Sequence, residues 1–193
     1  MKISVPIAAL SIALAACGHD KADPAKTGGA IASEAGRGKP GAIADIKPLG
    51  DSGISGELGF YPADGGVRVE GYVRGLTPNS THGFHIHEHP DCSAADGSSA
   101  GDHYNPSMAS HGAPGPNSHL GDLGNITSDG EGRATVSAFI AGGTIGPSSN
   151  ANGKGDVANH AVIVHAKTDD LATQPSGASG PKVACGVVSA TVN

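Results

Sequence analysis

From residue 42 onward, apolar and polar residues alternate in short runs that turn formers cut every few positions. A period of two puts every second side chain on one face, the pattern of a half-buried strand. No helical 3.6-residue period of useful length competes with it. The runs predict strands over residues 42–47, 54–61, 67–74, 82–87, 123–127, 133–140, 161–166 and 183–189. Turn signals separate them at Pro62-Ala63-Asp64-Gly65-Gly66, at 75–78 and at Ser128-Asp129-Gly130. Gly and Pro supply 31 and 13 of 193 residues, which rules out a mostly helical chain. Eight short strands in about 150 residues make an all-β sandwich or barrel around one core.

One connection breaks the rhythm. Between His87 and Leu123 lie 35 residues with no convincing strand. A structureless stretch beyond about 12–15 residues is usually functional or disordered. This one carries Cys92, His103, His111, His119 and Asp122; a metal and a disulfide would order it. A shorter second loop, 167–181, follows His165.

The candidate metal ligands are His85, His87, His103, His111, His119, Asp122 and His165, the first six within 38 residues. Imidazoles with one carboxylate, and no thiolate in a matching role, are the donor set of zinc and copper. His85 and His87 are two apart at a strand end, so both face the same way. That pair alone is a weak signal. The spacings of 8, 8 and 3 from His103 to Asp122 are stronger, since they put four ligands in one loop. His165 ends another strand, where it would complete the first site. Two four-coordinate ions need eight ligand positions. Seven residues fill them only if one imidazole uses both nitrogens.

In this order, GFHIHE (83–88), SAGDHYNP (99–106), HLGDLGN (119–125), VHAKTDDL (164–171) and ACGV (184–187) closely resemble the copper,zinc superoxide dismutase family. The resemblance spans residues 43–193. It implies an eight-stranded Greek-key β-barrel or sandwich, immunoglobulin-like, with a long metal-binding loop and a second functional loop. By position it implies one copper ion per subunit on His85, His87, His103 and His165. It implies one zinc ion on His103, His111, His119 and Asp122, with His103 the shared imidazolate. A Cys92–Cys185 disulfide follows from the same match. So does an Asp169 carboxylate that links a copper histidine to a zinc histidine, and so do catalytic roles for His103 and Lys182.

The implied reaction is dismutation of superoxide anion to O2 and H2O2. Copper alternates between Cu(II) and Cu(I), and zinc is a structural and electrostatic partner. In the family the copper–His103 link breaks on reduction and the imidazole takes up a proton. A copper/zinc carrier on the same fold without turnover is the alternative, which the presence of all four copper ligands disfavours. An adhesion module leaves the histidines unexplained. Homodimer and monomer both stay open.

Two features depart from the family pattern. Lys182 stands where the family has an Arg, so the positive charge survives but the planar fork does not. The second loop is short compared with the eukaryotic form. Residues 43–193 carry seven Lys/Arg against fifteen Asp/Glu, a net −8 that repels a small anion on average. Steering then needs a local positive field, from the metals and Lys182 with Lys167 as a minor contributor, focused in a cleft.

The other histidines are expected to do less. His82 makes a structural hydrogen bond, and His19, His89 and His160 are surface groups. Glu88 is structural, Asp102 and Asp170 are solvated, and Gly83 and Gly186 serve close packing. Trp is absent, Phe and Tyr number three each, and the net charge is −6, so nucleic acid is not an expected partner.

The N-terminus reads as a targeting segment. Met1-Lys2 is a short positive start, and residues 3–16 are apolar but too short to span a bilayer. Leu14-Ala15-Ala16-Cys17 resembles a bacterial lipobox, which makes 1–17 a lipoprotein signal peptide ending at a lipidated Cys17. The other reading is an ordinary secretory signal cut near Ala16. Residues 18–42 have almost no large apolar side chain and read as a flexible tether. The expected organisation is signal, tether and one catalytic domain over 43–193. The expected location is the periplasm, with the lipid anchor in the outer membrane.

Overall fold

A computed structural model of the chain describes residues 1–2, 38–146 and 155–191. The chain divides into two compact units, Met1–Ser33 and Glu34–Asn193, and every described strand belongs to the second. The signal segment, Cys17 and the tether up to residue 37 lie outside the described residues.

The strands are β1 (Ala42–Pro48), β2 (Ser55–Ala63), β3 (Gly66–Arg74), β4 (Thr81–His87), β5 (Asp122–Thr127), β6 (Arg133–Ala141), β7 (Ala161–His165), β8 (Lys182–Val187) and β9 (Ser189–Ala190). Hydrogen bonding orders them β5-β4-β7-β8-β1-β2-β3-β6, with β9 added to β1. Every pairing is antiparallel. β1 is the seam between two sheets: Ala42 to Ile46 pair with β2, while Lys47 and Pro48 pair with β8. The β3–β4, β5–β6 and β6–β7 connections therefore cross between sheets. β5 and β6, the two ends of the path, lie side by side. This is the expected architecture, a nearly closed eight-stranded Greek-key barrel or sandwich with long loops.

The core fills the space between the sheets. Ile46, Leu58, Phe60, Phe84, Ile86 and Ile140 are at most 2% exposed. Each such side chain contributes about 1.5–3 kcal/mol of burial. β4 is covered on both faces: Phe84 and Ile86 enter the core, and the alternation turns His85 and His87 to the opposite face, equally buried. The barrel thus presents two imidazoles from a rigid strand.

Two boundaries differ from the sequence reading. β2 runs through Pro62 to Ala63, so the five-residue turn signal shrinks to Asp64-Gly65. Proline is tolerated there because β1 has ended opposite Phe60 and leaves an edge. The strand expected over 183–189 breaks at Val188, where the chain switches sheets. Val188 N–H donates to His160 O, and Ser189 then pairs with Ile43. Gly41 N–H donates to Phe60 O and Ala42 opens β1, where the sequence reading starts its first strand. Within the long loop the regular elements are a 3-10 turn at Ser98–Ala100 and an isolated His87–His103 bridge. Cys92 and Cys185 are disulfide-bonded, Cα to Cα 5.7 Å, tying that loop to β8. Closing a segment of this length stabilises by about 4–5 kcal/mol in the chain-entropy account.

Candidate metal centre

β4 supplies His85 and His87, β7 supplies His165 at its last residue, and β5 opens with Asp122. The long loop supplies His103, His111 and His119, and all seven side chains are buried. They form two groups that share His103. One is His85, His87, His103 and His165; the other is His103, His111, His119 and Asp122. Within each group, one ligand atom per residue lies within 4.8 Å of the rest. The backbone pins His103 at the junction, since Tyr104 N–H donates to Ile86 O at 2.9 Å.

Outer hydrogen bonds decide which nitrogen each imidazole turns inward. His85 Nε2 donates to Asp169 Oδ2 at 2.8 Å, and His111 Nε2 donates to Asp169 Oδ1 at 2.9 Å. His87 Nδ1 donates to Gly101 O at 2.9 Å and His165 Nδ1 to Gly180 O at 3.0 Å. The Nε2 atoms of His87 and His165 then face each other at 3.3 Å. On the second group, Nδ1 of His103 and His111 reach Asp122 Oδ1 at 2.9 and 3.0 Å. His119 Nδ1 is 3.3 Å from the same oxygen. Asp122 Oδ2 accepts the Gly112 and His119 N–H groups, each at 3.1 Å.

This donor set fits two metal ions. His85 Nδ1, His103 Nε2 and His119 Nδ1 are buried without a hydrogen-bond partner. Each such group left unpaired costs about 1–3 kcal/mol, and a bound cation removes that cost. Four imidazoles suit copper, and three imidazoles with a carboxylate suit zinc. His103 offers Nε2 to the first group and Nδ1 to the second, which accounts for eight positions from seven residues.

The copper/zinc superoxide dismutase (SODC) family model matches residues 54–188, well over half of the chain. The chain belongs to that family. It is 38% identical to the extracellular copper-zinc superoxide dismutase of Onchocerca volvulus, over 79% of this chain and 77% of that protein. It is 39% identical to the copper-zinc superoxide dismutase of Saccharomyces cerevisiae, over 78% and 97%. Among solved structures, a double mutant of a SOD-like protein from Bacillus subtilis superposes with a TM-score of 0.66 at 30% identity, covering 75% of this chain and 94% of that one. The clock protein EA4 superposes at 0.67 with 32% identity, over 81% and 98%.

Burial favours the neutral form of His85, His87, His119 and His165, the form that binds a metal. It lowers His85 to about 4 against the opposing pull of Asp169. It lowers His165 to about 3, with repulsion from His85 added, and takes His87 well below the ordinary range. Burial alone would raise Asp169. Hydrogen bonds from His85, the Leu171 main chain and His111 outweigh it and hold the carboxyl at about 2.

His87, His103 and His165 open onto a cavity of about 540 Å³ that Lys182 also lines. Glu88, Asp96 and Asp102 share this lining, and Lys182 is the one Lys or Arg among the described residues there. Its Nζ donates to Gly101 O at 2.7 Å and Gly97 O at 3.2 Å. Gly101 O is also the acceptor for His87 Nδ1. Lys182 therefore braces a ligand's support as well as charging the cavity. Burial lowers its pKa while Asp102 and Asp96 oppose the shift. Lys167 is exposed and does not line the cavity.

Two residues do more than their sequence context suggested. His160 is not a free surface group: Nδ1 donates to Glu88 O at 2.8 Å, and the ring stacks on Tyr104 with centroids 3.8 Å apart. It braces the chain just beyond His87. Asn125 locks the Asp169 backbone, accepting from its N–H at 2.8 Å and donating to its O at 3.0 Å. His82 behaves as expected, bonding His165 O at 2.8 Å through Nδ1. Gly83 is needed for close packing, since a Cβ there would lie 2.7 Å from Ser179 Oγ.

Proposed function

We infer that the chain converts superoxide anion to O2 and H2O2 with one copper and one zinc per subunit. Copper sits on His85, His87, His103 and His165, and zinc on His103, His111, His119 and Asp122. The observation that carries this reading is the pair of buried four-ligand groups joined at His103. When bound, copper supplies a one-electron redox centre and zinc a fixed charge.

The chain's own residues do the rest. Lys182 offsets the acidic rim and draws the anion into the cavity. His87 and His165 present Nε2 at the cavity floor, held there by Gly101 and Gly180. Asp169 holds His85 and His111 in register with each other. Two superoxide anions and two protons give one O2 and one H2O2. His103 Nε2 holds one of those protons between the half-reactions, while Nδ1 stays beside Asp122. Metal analysis with a superoxide-decay assay on the purified, oxidised protein tests this. A chain holding both metals without decay activity is a carrier instead.

The chain is further read as an exported periplasmic lipoprotein, anchored through Cys17 to the outer membrane, as a homodimer or a monomer. The support is the apolar leader ending in Leu14-Ala15-Ala16-Cys17 and the apolar-poor segment after it.

A further inference from the structure

Gln174 lies at the surface of the second loop, yet its side chain is spent on a buried ligand. Gln174 Oε1 accepts the His111 N–H at 2.8 Å, and Gln174 Nε2 donates to His111 O at 2.9 Å. The carboxamide thus pairs with both main-chain groups of His111, as a neighbouring strand would. A third bond, Nε2 to Ala172 O at 3.1 Å, fixes the amide to its own loop. The same loop holds the other end of His111 through Asp169. The fit is close: a Cβ at Gly177 would lie 1.7 Å from Asp169 Oδ1 and 2.6 Å from His111 Nε2. His111 is therefore gripped at N–H, C=O and Nε2 by one loop that contributes no zinc ligand.

We propose that Gln174 is a positioning residue for the zinc site, coupling zinc affinity to the order of the second loop through the main chain of His111. The inference rests on the reading of His103, His111, His119 and Asp122 as that site. A bound ion and an ordered loop each favour the other, and the coupling must be reciprocal.

The test uses the full chain, loaded with zinc alone and with copper alone, and reads affinity by chelator competition. Gln174→Met keeps the side-chain volume without the hydrogen bonds, and Gln174→Ala removes both. The expected result is a zinc dissociation constant raised about 10–100-fold in both variants, with copper affinity unchanged. Zinc should also slow hydrogen exchange at the His111 N–H in the unsubstituted chain and fail to do so in Gln174→Met. Cobalt(II) placed in the zinc site should show an altered visible spectrum in Gln174→Met. Unchanged zinc affinity in Gln174→Met overturns the proposal, as does an equal loss of affinity for both metals. If the unsubstituted chain takes up no zinc, the metal-site reading itself fails, and the proposal with it.

Discussion

His87 and His165 turn their Nε2 atoms toward each other, 3.3 Å apart, with each Nδ1–H committed to a backbone carbonyl. The two residues come from different strands, β4 and β7, which are paired directly in the sheet. Two lone pairs held this close in a buried site repel unless a cation joins them. The sheet register therefore builds half of the copper site before any metal arrives.

Removing one of the pair should empty one site and spare the other. His165→Ala is expected to lose copper while keeping one zinc per chain. Superoxide decay should fall by more than the about 10–100-fold seen when a residue behind a ligand is changed. Metal analysis of the variant checks this; joint loss of both metals would contradict it.

Lys182 combines a charge with a brace on Gly101. Lys182→Ala should slow turnover roughly tenfold at low salt and flatten its ionic-strength dependence. Lys182→Arg keeps the charge and should keep the salt dependence. Stopped-flow decay at several ionic strengths reads both effects, and unchanged kinetics in Lys182→Ala would refute the steering role.

The metal-free protein should weaken in acid in two stages. His85 titrates at about 4 folded against 6.5 for the free group, so the unfolded chain binds more protons between those values. Its stabilising effect is whole above pH 6.5 and is lost as pH falls from there through about 4. Asp169, at about 2 folded against 3.8, adds stability above pH 3.8 that is lost as pH falls through about 2. Urea midpoints of the chelated protein across this range should fall steadily below pH 6.5. A flat profile down to pH 4 would contradict the burial of neutral His85.

Lipid attachment has its own test. Cys17→Ser should move the protein from the membrane pellet to the soluble fraction and remove acyl mass from the N-terminal peptide. A variant that still pellets would exclude Cys17 as the anchor.

Much of this was legible in the sequence, for physical reasons that also mark where legibility stops. Alternation marked half-buried strands such as β1 and β6, where a sheet with one solvated face imposes a period of two, whereas β7, buried on both faces, stood out as a short apolar run between turn signals. The need for eight ligand positions pointed to a shared imidazole before any fold was known. Local pattern carried no sign of the sheet switch at Val188, which depends on His160 meeting it from another part of the chain. Nor did it reveal Gln174 or Asn125. Both act through backbone groups 63 and 44 residues away, and side-chain chemistry alone does not name such partners.

The most direct measurement is superoxide decay by the zinc-loaded protein as copper is added in known increments. The rate should rise linearly and stop at one copper per chain, matching the one copper-type group among the described residues. A fully loaded protein that decays superoxide no faster than buffer would contradict it.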